Sequence, residues 1–244
     1  MLKEVFLAAV QAATEFLPIS SSGHLAIFSN LISEPNVFFF TTLHLASLLA
    51  VLIFTREEII ALFTFKKEYR KVWIYLIVAT IPANICGFIF SANIEKAFSS
   101  LLVVGIAFLF TSAVLYLTKF AKETKDLSIK NSILIGIFQS IALLPGVSRS
   151  GMTISSALLS GIGKEKATKF SFLLFIPLSI EAFLFEAKEG FYFNFSLFIS
   201  LIVCFVLSLL FLNLLFNIVK KGKMWVFSIY CLFAGITSIL LHFF

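Results

Sequence analysis

Residues 14–24 read TEFLPISSSGH. An acid, three consecutive serines and a histidine stand between apolar runs, with a proline among them. A continuous membrane helix does not tolerate such residues at its centre, because hydrocarbon offers no partner to a polar group. From Lys3 to Glu15 is 12 residues, roughly 18 Å of helix. That reaches the middle of a hydrocarbon core about 30 Å thick and no further. Pro18, Ser20, Ser21, Ser22 and Gly23 then favour a turn. Residues 24–33 lead back toward the next polar patch. Two half-length helices joined by a polar turn make a re-entrant hairpin, which enters and leaves on one side.

The construction recurs. Residues 131–161 run NSILIGIFQSIALL, then PGVSRSG, then MTISSALLSG. Gln11 is followed nine residues later by Ser20, then by Ser22 and Gly23; Gln139 is followed nine residues later by Ser148, then by Ser150 and Gly151. Pro18 and Pro145 match after a one-residue gap. After each hairpin come three runs long enough to span a bilayer, at residues 37–54, 72–90, 99–118 and at 170–185, 196–219, 224–243.

Composition agrees. Of 244 residues, 60% are hydrophobic and 13% charged, against about 45–50% and about 25% in soluble domains. Mean hydropathy is +1.04. These values indicate an integral membrane protein, and the start of the chain lacks the pattern of a cleaved signal peptide. The net charge of +6 does not indicate nucleic-acid binding, since the basic residues sit in short loops between apolar runs. Cys86, Cys204 and Cys231 are scattered in apolar segments without metal-ligand spacing.

Charge also tests the topology. If the first hairpin enters from one side, three spans place the second on the other, so the repeats are inverted. Arg56, Lys66, Lys67, Arg70, Lys71, Lys119, Lys122, Lys125, Lys130, Lys164, Lys166, Lys169, Lys220, Lys221 and Lys223 then share one side, and Lys3, Lys96 and Lys188 the other. By the positive-inside rule the fifteen face the cytoplasm and both termini face out. The expected fold is an all-α polytopic membrane protein of two inverted repeats, each a re-entrant helical hairpin plus three transmembrane helices. It forms a single integral membrane domain over 1–244, with repeat one at about 1–120 and repeat two at about 130–244. Both polar turns should meet near the midplane, where broken helices line transporter sites.

The second turn reads as an anion cradle. Arg149 in the bilayer interior needs a partner, and its planar fork suits phosphate oxygens. Ser148, Ser150 and Thr153 offer hydroxyls. Gly146 and Gly151 would let backbone N–H groups approach a ligand at a helix N-terminus. An Arg149–Glu15 ion pair locking the hairpins is the alternative. The first turn offers chemistry: Ser21 as nucleophile with His24 as base, and Glu15 either orienting His24 or holding a divalent cation. Gln11, one helical turn before Glu15, completes a cation or phosphate shell. Ser20, Ser21 and Ser22 also suit the role of helix cap. His44 either faces this cavity or is a satisfied buried histidine.

At these residues the sequence resembles the undecaprenyl pyrophosphate phosphatase family, also called the bacitracin-resistance family. The matching stretches are QAATEFLPISSSGHL (11–25) and LLPGVSRSGMTIS (143–155), with weaker matches at LHLASLLAVLIF (43–54), ATIPANICGF (79–88) and ATKFSFLLFIPLS (167–179). They spread over most of residues 1–185. The resemblance implies a multi-pass enzyme of the bacterial inner membrane, its site opening to the outer face. It would hydrolyse undecaprenyl diphosphate to the monophosphate and phosphate, recycling the lipid carrier of peptidoglycan synthesis. It places functional residues at Gln11, Glu15, Ser21, His24, Ser148, Arg149 and Thr153. It implies Mg²⁺ or Ca²⁺, with Glu15 and Gln11 as ligands. Gln11 stands where the family has Glu or Gln, leaving one carboxylate fewer; Ala12 replaces the usual glycine and Ser22 the usual threonine. The partners implied are the polyprenyl diphosphate and membrane lipids; a homodimer is left open.

His24 instead of Ser21 as the nucleophile, or as the group activating water, is equally compatible with the sequence. Two rivals come from other classes. A carrier or flippase for a phosphate-bearing lipid or anion would use the same midplane site, but Ser21 and His24 supply more chemistry than binding needs. A type-2 phosphatidic acid phosphatase needs a histidine shortly after the SR of 149–150, and residues 150–160 hold none.

Overall fold

The computed structural model describes residues 2–31, 37–64, 66–67, 69–186 and 195–244. Lys188 and residues 32–33, at the end of the first hairpin, lie outside them. The described residues form eleven α-helices: α1 (Leu2–Phe16), α2 (Ser21–Leu31), α3 (Val37–Phe54), α4 (Arg56–Phe63), α5 (Arg70–Phe98), α6 (Leu101–Leu117), α7 (Ile129–Ile141), α8 (Arg149–Leu159), α9 (Lys164–Glu186), α10 (Phe195–Lys220) and α11 (Phe227–Phe243). The only β contact among them is an isolated bridge, Lys125 to Ile162.

Four stretches are long and apolar enough to cross a membrane: Arg70–Phe98, Leu101–Phe120, Phe195–Lys220 and Met224–Phe243. Six are expected from the sequence. Of the other two, α9 has 23 residues but carries Pro177 and a charged first turn, and the described apolar part of α3 is the shorter Thr42–Phe54. The expected span 72–90 runs on to Phe98, with a non-helical break at Phe90 (φ −108°, ψ 15°) where the expectation ends it. Phe88, Ile89, Leu210 and Phe233 are exposed on the outside of these helices, as lipid-facing residues are.

Inside, small residues bring helices together, since apolar surface gains little from leaving lipid and packing must supply the attraction. Gly105 of α6 and Gly235 of α11 abut: a Cβ on either would lie 2.9 Å from the other's carbonyl oxygen. Ser112 Oγ donates to Ser228 O and Ser238 Oγ to Leu101 O on the same pair. Gly136 of α7 meets α5 at Ala79 O. Ala8 and Ala12 of α1 pack with Leu43, Ala46 and Cys204. Cys204 and Cys231 are buried free thiols.

At the start of α9 basic and acidic side chains pair. Lys169 pairs with the buried Glu58 at 2.7 Å, Lys164 with Glu123 and Lys166 with Asp126. Lys125 and Lys220 line the same hollow, of about 820 Å³. The ammonium of Lys169 is held above its usual range chiefly by Glu58, and the Asp126 carboxyl below its range by the hydrogen bond from Lys166. At the opposite end of α10, Ser196 Oγ donates to Glu4 of α1.

The two ends of the α7–α8 segment come together. The N–H groups of Thr124 and Lys125, before α7, both donate to Gly161 O, after α8. The α1–α2 segment starts at the other end, where Glu4 meets Ser196. Their turns meet in the interior. Phe16 packs on Phe175, near the centre of α9, and Gly146 O accepts from Thr111, near the centre of α6.

Candidate functional site

The two turns share one hydrogen-bonding scheme. Ser20 caps α2, its Oγ accepting Gly23 N–H at 3.1 Å; Ser148 caps α8, its Oγ accepting Gly151 N–H at 3.1 Å. Ser20 and Ser22 hydroxyls lie 3.2 Å apart, Ser148 and Ser150 hydroxyls 3.3 Å. Each turn also bonds the other's backbone: Ser20 Oγ donates to Val147 O, and Ser150 Oγ to Phe16 O. Such caps satisfy the free N–H groups of a helix start without water. Ser20 reverses the chain with φ of 66°, the left-handed region a serine seldom enters.

Glu15 is the hub of the first turn. Its side chain is 5% exposed. Oε2 accepts Ser21 Oγ–H at 2.8 Å and Gln11 Nε2–H at 3.0 Å, and His44 Nδ1 lies 3.6 Å away. A hydroxyl bonded to a buried carboxylate is a serine placed against a base. His44, half-buried, lies beside Gln11 and Glu15 in this cluster.

The expected contact between Ser21 and His24 is not formed. His24 Nδ1 sits 2.7 Å from Ser20 O, which can only accept, so Nδ1 carries the proton. Nε2 then accepts from Tyr230 OH, at 2.5 Å. The ring stacks on Tyr230 and meets the edge of Phe108. Ser21 and His24 leave the first turn of α2 in different directions, one to α1 and one to α11.

Close packing accounts for glycine at 146 and at 151. Gly146 has φ of 97°, and a Cβ there would lie 2.4 Å from Val104 O; one on Gly151 would press on Ser148 and Pro18. The hydroxyls of Ser148, Ser150 and Thr153 are engaged within the protein, Thr153 with Arg149 O and, at 2.6 Å, with Ser171 Oγ. Backbone N–H groups are held likewise: Ser148 N–H donates to Thr111 Oγ1.

Arg149 stays available. It forms no ion pair among the described residues, and its guanidinium lies 5.6 Å over the Phe175 ring, so the Arg149–Glu15 pair is absent. Both residues nevertheless line one cavity of about 20 Å³, together with Phe16, Gln139, Ser150, Thr153, Ser171, Phe172 and Phe175. A buried acid, which also accepts the Ser21 hydroxyl, and an unpaired guanidinium share that lining.

As a metal site the cluster is sparse. No group of three or more His, Cys, Asp or Glu converges among the described residues. Gln11 turns its amide N–H, not its oxygen, to Glu15. Mg²⁺ held by one carboxylate and substrate phosphates suits this donor set better than a full protein cage for Ca²⁺.

Sequence reasoning passed over Gln139 as a site residue, using it only to mark the repeat. Ser171, Thr111 and Tyr230 carried no signal beyond being polar in apolar helices.

A family model described as "Bacitracin resistance protein BacA" matches residues 4–237. Among curated relatives, a protein of Thermosipho africanus named undecaprenyl-diphosphatase is 42% identical over 97% of this chain and 98% of its own length. Proteins of the same name from Methanococcus maripaludis (strain C6) and Korarchaeum cryptofilum are 38% and 34% identical, over 96% and 95% of this chain and 97% and 95% of theirs.

Proposed function

The chain belongs to the bacitracin resistance protein BacA family, and from that premise we propose that it is a membrane phosphatase hydrolysing undecaprenyl diphosphate to undecaprenyl phosphate and inorganic phosphate. This regenerates the lipid carrier for cell-wall synthesis and underlies bacitracin resistance. The observation that carries the reading is Ser21 Oγ bonded to Glu15 Oε2 beside a cavity lined by Glu15 and Arg149.

In the first step Ser21 Oγ attacks the terminal phosphorus and its proton passes to Glu15. The P–O bond to the polyprenyl phosphate breaks, and the departing phosphate takes that proton. Water then cleaves the phosphoserine: one proton goes to Glu15, which returns it to Ser21 Oγ. Arg149 binds the phosphate oxygens and compensates charge that grows in the transition state. His24, fixed between Ser20 O and Tyr230, positions the turn that carries Ser21. Glu15 is the residue that would hold a divalent cation, Mg²⁺ or Ca²⁺, whose charge would offset that of the diphosphate.

The chain is a single membrane domain of two inverted repeats. The matched caps at Ser20 and Ser148 and the hairpins' opposite ends of entry support this. It sits in the cytoplasmic membrane, with the basic loops inside and both termini and the site opening outside.

The test is phosphate release from undecaprenyl diphosphate by the purified protein in detergent. Release by wild type, lost by orders of magnitude in Ser21→Ala and Arg149→Ala, is expected. No release from folded protein would favour a carrier. A trapped phosphohistidine in place of phosphoserine would overturn the serine step.

A further inference from the structure

Gln139 is 2% exposed. Its Nε2 donates to Ala79 O of α5 at 3.2 Å. Because a carbonyl oxygen accepts only, this bond decides which end of the amide is which. The other atom, Oε1, is buried without a hydrogen-bond partner. The nitrogen end is held toward α5, and Gln139 lines a cavity with Glu15, Arg149, Ser150, Thr153 and Ser171. An unsatisfied buried acceptor is unfavourable, so Oε1 calls for a group that donates.

The cavity holds about 20 Å³, and about 10–15 Å³ suffices for one water with two to four polar partners. A phosphate oxygen, being an acceptor, does not satisfy Oε1; the O–H of water does. Resting on the phosphatase reading above, we propose that Gln139 is the positioning residue for the hydrolytic water. Oε1 accepts one of its protons and the Glu15 carboxylate the other, which turns the oxygen lone pairs toward the phosphorus held by Arg149. The water O–P bond forms as the Ser21 Oγ–P bond breaks. The proton facing Glu15 is transferred and passes on to Ser21 Oγ; the proton facing Gln139 stays on the new phosphate. The amide is never charged and acts only by orientation.

The experiment uses full-length protein in detergent with undecaprenyl diphosphate labelled at the terminal phosphate. Gln139→Met keeps the length and removes both polar atoms. Gln139→Glu keeps the acceptor and removes the tie to Ala79. Misplacing a reacting group by about 1 Å costs about a hundredfold, so Gln139→Met should lose about ten- to a hundredfold in kcat with little change in KM. Gln139→Glu should retain several-fold more. With methanol present, Gln139→Met should raise the ratio of methyl phosphate to free phosphate, because water loses its holder and methanol does not. Equal losses in both variants, matched by equal drops in melting temperature and an unchanged methanol ratio, would reduce Gln139 to a helix tie and overturn the proposal. So would full kcat in Gln139→Met while Arg149→Ala is inactive, and then the phosphatase reading stands. Wild-type protein that releases no phosphate would instead remove that reading, and this proposal with it.

Discussion

Gly23→Ala is the sharpest test of how the two turns fit together. A Cβ at Gly23 would stand 2.6 Å from Phe108 Cζ, 2.7 Å from Phe108 Cε2 and 2.8 Å from Gly146 Cα. Ordinary contact begins near 3.4 Å, so about 0.6–0.8 Å must be found. Phe108 is fully buried, and its ring also carries the edge contact to His24. Gly146 is itself pressed against Val104 O. The strain therefore has to separate the hairpins. Overpacking of this kind costs about 1–3 kcal/mol. A shift approaching 1 Å between Ser21 on one hairpin and Arg149 on the other costs up to about a hundredfold in rate. Phosphate release and thermal unfolding in detergent should show both losses, with kcat falling further than stability alone explains. Gly87→Ala is the control: its Cβ would meet only Leu143 Cδ1, at 3.7 Å, and replacing glycine inside a helix gains up to about 1 kcal/mol. Wild-type kcat in Gly23→Ala would refute the idea that the turns must touch for catalysis.

Four further outcomes are expected. Ser20→Gly should be less destabilising than Ser20→Ala in thermal unfolding, by about 1 kcal/mol, because glycine accepts the left-handed backbone and substitutes tolerably as a cap. Lys169→Met should lower stability by about 1–3 kcal/mol by stranding the buried Glu58, discounted for the partial exposure of the lysine. Since pairing raises the Lys169 pKa, that difference should be constant from pH 6 to 9 and close only in strong alkali, where wild type also loses the charge; a gap that closes near neutrality would contradict the pairing. Tyr230→Phe removes the donor to His24 Nε2 and should cost about 1 kcal/mol of stability and several-fold in kcat, measured against an unchanged KM. Chelation should depress phosphate release, and a divalent-metal titration of Glu15→Gln should show no saturable activation where wild type does.

The polar turns were readable because polarity at membrane depth has few explanations. Pro18, Pro145 and the serines mark them by position alone. The partners of each side chain were not readable. Ser21 and His24 are three apart in sequence, yet one reaches α1 and the other α11; that divergence depends on how α2 is rotated against its neighbours. Gln139 became informative only with Ala79, 60 residues away, taking one end of its amide. Gly146 and Gly151 look like ligand-approach glycines in a motif. Only neighbouring atoms reveal that α6 and Pro18 occupy the space a side chain would need.

The reciprocal bonds between the turns bear on how the chain is made. Ser20 waits for Val147, 127 residues later, and Phe16 for Ser150, 134 residues later. At about 5–20 residues per second of synthesis, that delay is about 6–27 s. For that interval the first turn keeps its own bonds to Glu15 and the Ser20 cap but lacks the partners that Val147 and Ser150 supply. The first half must therefore be sheltered by something other than its own sequel. A ribosome stalled before residue 145 should leave a nascent chain whose first hairpin is labelled by water-soluble reagents at Ser20→Cys, and release past residue 161 should protect that site, since Ser20 is buried in the complete fold.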